Sequence, residues 1–130
     1  MAIAIYKSKI KRYCNGETKQ KYMVKMYVQQ AVDFDTIAER ISKGSSATVG
    51  DVYMVLQQLE KEIMYCLELG QPVKLGRLGS FFPRITVKSV DTKEEVNMKT
   101  IKKFSCAFKP SKYMKNFFKT VKYEFITREL

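Results

Sequence analysis

The stretch LGRLGSFFP, residues 75–83, places two of the six glycines of the chain three positions apart. It follows a segment with helical apolar periodicity and begins a region with strand-like alternation. Glycine enters left-handed backbone conformations with little steric penalty. We therefore predict that Gly76 and Gly79 allow a tight reversal between a strand at 72–75 and a second strand that carries Phe81 into the core.

Two helices are predicted before this reversal. The first has apolar residues at a 3.6-residue period, can be capped by Asp33 or Asp35, and ends near Gly44. The second begins at the N-cap Thr48 and ends at Gly70. Its apolar stripe comprises Val52, Val55, Leu56, Leu59, Ile63, Cys66 and Leu67. Methionines and tyrosines beside the stripe predict burial against more than one partner element.

A β-hairpin is predicted at the N-terminus. Residues 2–12 and 21–28 are rich in β-branched and aromatic residues, and an Asn-Gly turn signal lies between them. The intervening segment CNGETKQ is longer than the tightest hairpin loops, so the sequence leaves the register open.

After the glycine turn, the pattern predicts strand, helical turn, strand and helix. RITVKSV (84–90) alternates as a strand does, and Thr92 with Glu95 forms a capping-box pattern for one helical turn. A strand at 99–108 follows, and Ser111 can cap a final helix. That strand places three side chains on one face: Phe104, Cys106 and Phe108.

Composition argues against most enzymatic chemistry. The chain has no histidine, which removes Ser-His-Asp and Cys-His sites and the usual zinc ligand sets. Its three cysteines show no CxxC spacing. No apolar run approaches the roughly 20 residues that cross a bilayer, and the N-terminus lacks the pattern of a signal peptide. We therefore expect a cytoplasmic non-enzyme without metal, cofactor, small-molecule substrate or membrane partner.

The net charge of +11 is unevenly distributed. Residues 1–32 hold seven Lys/Arg against one acid, 33–70 hold three against seven, and 71–130 hold fourteen against five. A lysine-rich surface that served only solubility would be spread more evenly. The segregation instead indicates a polyanionic partner, with nucleic acid as the first candidate.

This order of elements resembles the histone-like HU and integration-host-factor family of bacterial DNA-binding proteins. The resemblance covers about residues 33–119. It depends on TVGDV (48–52) with the helix that it begins, on VKLGRLGSF (73–81), and on AFKPSKYMKNFF (107–118). The N-terminal hairpin resembles the extended variant found in HU-like proteins of Bacteroides and its relatives.

The resemblance implies an α+β, HU-like fold with a two-helix base, a β-saddle with a shortened arm and a C-terminal helix, preceded by an extra hairpin. It also implies a homodimer that binds double-stranded DNA in the nucleoid. The expected organisation is a hairpin at 1–32 that packs on the same domain, an HU-like domain at 33–119 and a tail at 120–130. The tail could extend the last helix or form a strand.

Site residues follow from the same resemblance. The cations expected to line the saddle and arm are Arg84, Lys88, Lys99, Lys102 and Lys103. Flanking phosphates would be met near the last helix by Lys109, Ser111, Lys112 and Lys115. The expected core and dimer residues are Val52, Leu56, Leu59, Ile63, Phe81, Phe104 and Phe108.

The arm departs from the family pattern. Members that kink DNA carry an Arg-Asn-Pro at the arm tip, where the proline wedges between base steps. Here the corresponding stretch reads DTKEEVNM (91–98), and the prolines of the chain are Pro72, Pro83 and Pro110. Binding by phosphate neutralisation does not require the wedge, whereas sharp bending does.

Two other functions stay open at this point. The first is a structural or protein-interaction module that recruits a partner through the N-terminal hairpin, with DNA binding secondary; deletion of residues 1–30 would discriminate it. The second is RNA binding, because Tyr6, Tyr13, Tyr22 and Tyr27 interleave with lysines and could stack on bases. Half-buried strand positions would explain the same tyrosines.

Overall fold

The computed structural model describes residues 1–127, and its backbone contacts divide the chain into two compact units. One unit contains Met1–Ala31 and the segment from Phe117 onward, and the other contains Val32–Asn116. Within the described residues, helices combine with two small sheets, which confirms the predicted α+β class. The proposed division into segments 1–32, 33–119 and 120–130 stays a prediction.

The elements follow one another along the chain with short connections. In order they are β1 (Ala2–Cys14), β2 (Glu17–Met26), α1 (Phe34–Lys43), α2 (Val49–Glu68), β3 (Val73–Leu75), β4 (Gly79–Val87), β5 (Ile101–Pro110), α3 (Lys112–Phe118) and β6 (Lys122–Phe125). Two single 3₁₀ turns, Lys93–Glu95 and Met98–Thr100, lie between β4 and β5. None of the helices within residues 1–127 is long and apolar enough to cross a membrane.

The first unit is a sheet with the strand order β2-β1-β6. Strand β1 pairs antiparallel with β2 and parallel with β6, where Ile3 lies beside Tyr123 and Ile5 beside Phe125. The sequence did not decide whether the tail extends the last helix or forms a strand. The structure shows a strand over Lys122–Phe125. The last residues of the predicted tail, 128–130, lie outside the described part of the chain.

The N-terminal hairpin turns more tightly than its sequence suggested. Cys14 pairs with Glu17, so only Asn15 and Gly16 form the loop, with φ of 53° and 80°. Two successive left-handed residues are typical of a type I′ turn, whose twist matches that of the flanking strands. The polar residues after the turn belong to β2 because every residue of this edge strand is exposed, so polar side chains are tolerated there.

Helices α1 and α2 begin at the predicted caps. The Asp33 carboxylate accepts a hydrogen bond from the Thr36 amide at 3.0 Å, and this bond lowers the pKa of Asp33. The Thr48 hydroxyl oxygen accepts the Asp51 amide at 3.1 Å and starts α2. Gly70, just past the end of α2, adopts a φ of 78°.

The glycine turn has the predicted position, but its two glycines are required for different reasons. Gly76 has a φ of 54° with open space around an added Cβ, so only its backbone conformation favours glycine. Gly79 has a φ of 155°, and a Cβ there would overlap the Lys109 carbonyl oxygen and lie 2.8 Å from a ring carbon of Phe108. Strand β5 therefore passes directly over a position that admits no side chain.

The segment between β4 and β5 differs from the sequence prediction at three points. Strand β5 begins at Ile101 because Asn97 caps a 3₁₀ turn over the preceding residues, its Oδ1 accepting the Lys99 amide at 2.8 Å. Thr92 precedes the other turn but makes no side-chain capping bond, so the predicted capping box does not form. Strand β4 ends at Val87 rather than at residue 90.

Little of the apolar surface of the second unit is covered within one chain. Among the described residues, the buried apolar side chains are Ala38, Val52 and Leu67. Of the predicted core and dimer residues, Leu56, Ile63 and Phe81 are half-buried and Leu59, Phe104 and Phe108 are exposed. The rings of Phe81 and Phe108 pack at a centroid distance of 5.1 Å. The exposed members of this set are available to a further packing partner.

The different surroundings of the glycines predict different substitution costs. Gly79→Ala should lower the free energy of unfolding by about 2–5 kcal/mol, because overpacking adds to backbone strain. Gly76→Ala should lower it by about 1–2 kcal/mol from strain alone. Gly50→Ala, in the first turn of α2 with open space around it, should raise it by up to about 1 kcal/mol. Urea denaturation followed by circular dichroism gives all three values, and equal losses at positions 76 and 79 would contradict the steric account.

Candidate nucleic-acid interface

The register of the β3-β4-β5 sheet sorts its side chains onto two chemically different faces. Leu75 pairs with Gly79, Phe81 with Phe108 and Arg84 with Ser105, and side chains alternate between the faces along each strand. The apolar face comprises Val73, Leu75, Phe81, Pro83, Ile85, Phe104, Cys106 and Phe108. The opposite face, called the basic face here, comprises Lys74, Ser80, Phe82, Arg84, Thr86, Lys103, Ser105, Ala107 and Lys109.

The basic face combines cations and hydroxyl groups without a carboxylate. Its four cationic side chains, Lys74, Arg84, Lys103 and Lys109, are all exposed. None of its strand positions holds Asp or Glu. The Lys109 ammonium lies 5.1 Å from the ring centroid of Phe82, so these two neighbours form one continuous surface. Lysine, arginine, serine and threonine are the side chains that commonly contact nucleic-acid phosphates.

The nine residues that the sequence analysis assigned to DNA are divided among several places. Arg84, Lys103 and Lys109 meet on the basic face. Lys102 is the extra residue where the β4–β5 register shifts, so it has no partner in the ladder. Lys88 and Lys99 lie at the two ends of the arm segment, and Lys112 and Lys115 belong to α3. Their contact with DNA stays a prediction.

Sequence reasoning missed four polar members of the basic face. Lys74 and Ser80 pair with each other across β3 and β4, while Thr86 pairs with Lys103 and Ser105 with Arg84. The alternation within VKL (73–75) could have placed Lys74 opposite the apolar face. The same alternation puts Thr86 opposite Ile85, and Ser105 opposite Phe104 and Cys106, so it could have indicated these hydroxyl residues as well.

Ser111 links the glycine turn to the start of α3. Its amide donates to the Leu78 carbonyl at 3.0 Å, its hydroxyl donates to the Arg77 carbonyl, and its Oγ accepts the Met114 amide at 3.0 Å. The Arg77 guanidinium also lies 4.6 Å from the ring centroid of Tyr113. The predicted cap is confirmed, and it fixes the turn relative to α3. A phosphate contact by Ser111 stays a prediction.

The arm segment between β4 and β5 folds back on itself around Asn97. The Asn97 side chain accepts the Lys99 amide at 2.8 Å and donates to the Glu95 carbonyl at 3.2 Å. The Lys88 amide donates to the Thr100 carbonyl at 2.8 Å and closes the base of the segment. Val96 and Met98 are strongly exposed, at 63% and 84%. The arm is therefore a short loop that presents acidic and apolar side chains together.

A family model described as an HU domain fused to a winged helix-turn-helix, Ig or glycine-rich motif matches residues 1–125. The chain belongs to this HU-HIG family. The match includes the N-terminal hairpin as well as the helices and the β3-β4-β5 sheet, which confirms the predicted HU-like membership with an extension. No curated protein matches the chain.

Two solved structures support the HU-HIG assignment at the level of the fold. A putative bacterial DNA-binding protein from Bacteroides vulgatus matches with a TM-score of 0.66 at 11% identity, over 96% of this chain and 48% of that one. A valine-to-isoleucine mutant of HU from Thermotoga maritima matches with a TM-score of 0.50 at 22% identity, over 67% of this chain and 99% of that one. The HU-HIG chain thus spans about half the length of the Bacteroides protein.

The hydrogen bonds of Ser111 between the glycine turn and α3 predict that its substitution lowers the free energy of unfolding. Ser111→Ala should lower the free energy of unfolding by about 1–2 kcal/mol, because the Met114 amide loses its cap. Ser111→Asp keeps a capping oxygen but cannot donate to the Arg77 carbonyl, so it should recover only part of that loss. Urea denaturation measures both variants. Full recovery by Asp would show that the bond to Arg77 contributes nothing.

Proposed function

We propose that this HU-HIG chain is a non-catalytic protein that binds double-stranded DNA largely without sequence preference. It would act as an architectural, nucleoid-associated protein of the cytoplasm. The observation that carries the proposal is the basic face, where four exposed cations and three hydroxyl residues share one side of a sheet without an acidic residue. Such a surface suits the phosphate backbone, which every duplex sequence presents alike.

The side chains of the basic face favour phosphate contacts over base readout. Lys74, Arg84, Lys103 and Lys109 occupy fixed positions on paired strands, so their charges form a set pattern. Arginine can bind a phosphate in bidentate fashion, whereas lysine acts as a mobile point charge. A surface with one Arg and three Lys therefore supports electrostatic attachment better than recognition of particular bases. The family match and the putative DNA-binding neighbour agree with this function.

We further infer that the chain acts as a homodimer. One chain exposes 11,606 Å² of surface. Two separate compact domains with the masses of the two units would expose about 8,500 Å² together. The excess includes apolar side chains of α2, among them Val55 at 61% and Leu59 at 42% exposure. A second copy that packed against this helix would bury them.

Duplex binding can be tested by fluorescence anisotropy with a labelled random-sequence DNA titrated at several salt concentrations. The logarithm of the association constant should fall linearly with the logarithm of salt, at about 0.9 per phosphate neutralised. Unrelated duplex sequences should give similar constants. Weak binding that salt leaves unchanged would overturn the proposal.

Two matched double variants can distinguish the contribution of the basic face to DNA binding from that of net charge. Arg84→Gln with Lys103→Gln should weaken binding to all sequences and lower the salt slope by about 1.8 for each chain that contacts the duplex, or about 3.6 for a homodimer, because two phosphate contacts are lost per chain. Lys43→Gln with Lys61→Gln removes the same charge from helices α1 and α2 and should change the slope much less. Equal effects of the two pairs would show that only net charge matters.

The dimer can be tested through α2. Leu59→Glu should raise the dimer dissociation constant at least about tenfold, because a Leu side chain contributes about 1.5–3 kcal/mol when buried. Gln58→Glu places the same charge on the adjacent exposed position and should leave the constant within about threefold. Sedimentation velocity over a concentration series measures both. A wild-type chain that sediments as a monomer throughout would contradict the inference.

A further inference from the structure

The N-terminal sheet also has two chemically distinct faces, and neither belongs to the proposed duplex site. Along β1, alternate residues Lys7, Lys9 and Lys11 lie on one face, with about 6.8 Å between successive positions. Their partners on β2 are Val24, Tyr22 and Gln20. The lysines thus form a row along β1, in the part of the strand that pairs with β2 and follows the residues paired with β6.

Aromatic rings flank this lysine row on the same face. Tyr13 lies at its far end, Tyr22 is paired with Lys9, and β6 contributes Tyr123 and Phe125 beside Ile3 and Ile5. The four rings are exposed by 78%, 64%, 66% and 59%, in the order Tyr13, Tyr22, Tyr123 and Phe125. We call this set, with Lys7, Lys9 and Lys11, the aromatic-lysine face. The Lys7 ammonium lies 5.9 Å from the ring centroid of Phe125, so row and rings form one surface.

The acidic residues of this sheet are confined to one face, whereas cations occupy both: the face opposite the lysine row also carries Arg12, Lys19, Lys21, Lys25 and Lys122. The acidic residues of its strands are Glu17 and Glu124, and the register puts both on the side opposite the lysine row. On the aromatic-lysine face, the strand positions are basic, aromatic, apolar or neutral polar. This arrangement complements a ligand that carries regularly spaced negative charges and flat apolar groups.

We propose that the aromatic-lysine face binds single-stranded nucleic acid. An extended single strand offers phosphates along one edge and unstacked bases along the other, which suits a lysine row beside exposed rings. A duplex keeps its bases paired and stacked, so the tyrosine rings could not stack on the faces of its bases. The inference goes beyond duplex binding, because it assigns the N-terminal sheet a single-stranded ligand whose bases would stack on its rings.

The test uses the full chain and three labelled probes: a 20-nucleotide oligo(dT), a 20-nucleotide oligo(rU) and a 20-base-pair duplex. Tyr13→Ala with Tyr22→Ala should weaken binding of the single strands at least about tenfold, because each stacked base contributes about 1–3 kcal/mol. The duplex constant should change less than about threefold. Tyr13→Phe with Tyr22→Phe keeps the rings and should retain binding of the single strands.

A pair of lysine variants controls for charge. Lys9→Gln with Lys11→Gln removes two charges from the aromatic-lysine face, and Lys19→Gln with Lys21→Gln removes two from the opposite face of the same hairpin. Only the first pair should weaken oligonucleotide binding strongly. Circular dichroism verifies that each variant retains the wild-type sheet signal.

Each result bears on the proposal. The proposal is supported if the tyrosine and Lys9/Lys11 variants bind either oligonucleotide more weakly while their binding of the duplex changes little. The oligonucleotide that the wild-type chain binds more tightly shows whether the ligand is DNA or RNA. Equal losses from both lysine pairs, or unchanged affinity without the tyrosine rings, would overturn it. So would a change of oligomeric state in the tyrosine variants with no effect on binding, because a second copy would then cover this face. Failure of duplex binding alone concerns only the basic face.

Discussion

The close approach of strand β5 to Gly79 is the constraint on which the second unit depends. The Lys109 carbonyl and the Phe108 ring occupy the space where any other residue would place its Cβ. This contact sets which residue of β5 lies opposite the end of the glycine turn, and the pairs from Gly79–Pro110 to Thr86–Lys103 follow from it. A slip of one residue would exchange the faces of β5. The Lys109 and Lys103 side chains would then point toward the apolar side of the sheet.

The same register therefore produces both the apolar surface and the basic face. Phe81, Phe104 and Phe108 cannot share one face unless Arg84, Lys103 and Lys109 share the other. Ser111 also fixes the position of α3 relative to the sheet, because its hydrogen bonds join the glycine turn to the start of this helix. The proposed binding surface is thus held by backbone pairing and needs no dedicated loop.

Sequence reasoning succeeded where a local signal determines the structure. The caps Asp33, Thr48 and Ser111 and the turn at Gly76 and Gly79 each depend on a residue type with a specific backbone role. Sequence reasoning was less successful where pairing between strands determines the length of a loop or the face on which a side chain lies. Asn15-Gly16 was recognised as a turn signal, yet the sequence could not tell that Cys14 pairs with Glu17 and makes the loop so short. The meeting of Arg84 with Lys103 and Lys109 on one face depends on pairing of the same kind, between β4 and β5.

The aromatic-lysine face likewise could not be predicted from local sequence signals. Tyr6, Tyr13, Tyr22 and Tyr27 look equivalent in the sequence because each has lysines nearby. In the sheet, Tyr13 and Tyr22 lie on the face of the lysine row, whereas Tyr6 pairs with Lys25 on the opposite face. Moreover, Tyr123 and Phe125 join this face only through the parallel pairing of β6 with β1, across more than a hundred residues of chain. No local pattern encodes that pairing.

The arm limits the kind of DNA complex that the basic face can form. Bending a duplex sharply costs several kcal/mol, roughly 1–6 for a site of 20–30 base pairs, and wedges that unstack base steps help to offset it. In this chain the arm is closed on itself by Asn97, and it carries Glu94 and Glu95 directly before Val96. The minor groove, along which the resemblance to HU would place the arm, presents a negative potential. The exposed Val96 and Met98 of the arm would enter the groove only with those carboxylates close to phosphates. Electrostatic attachment through the sheet avoids that repulsion, so the proposed function favours contact with duplex DNA that stays close to straight.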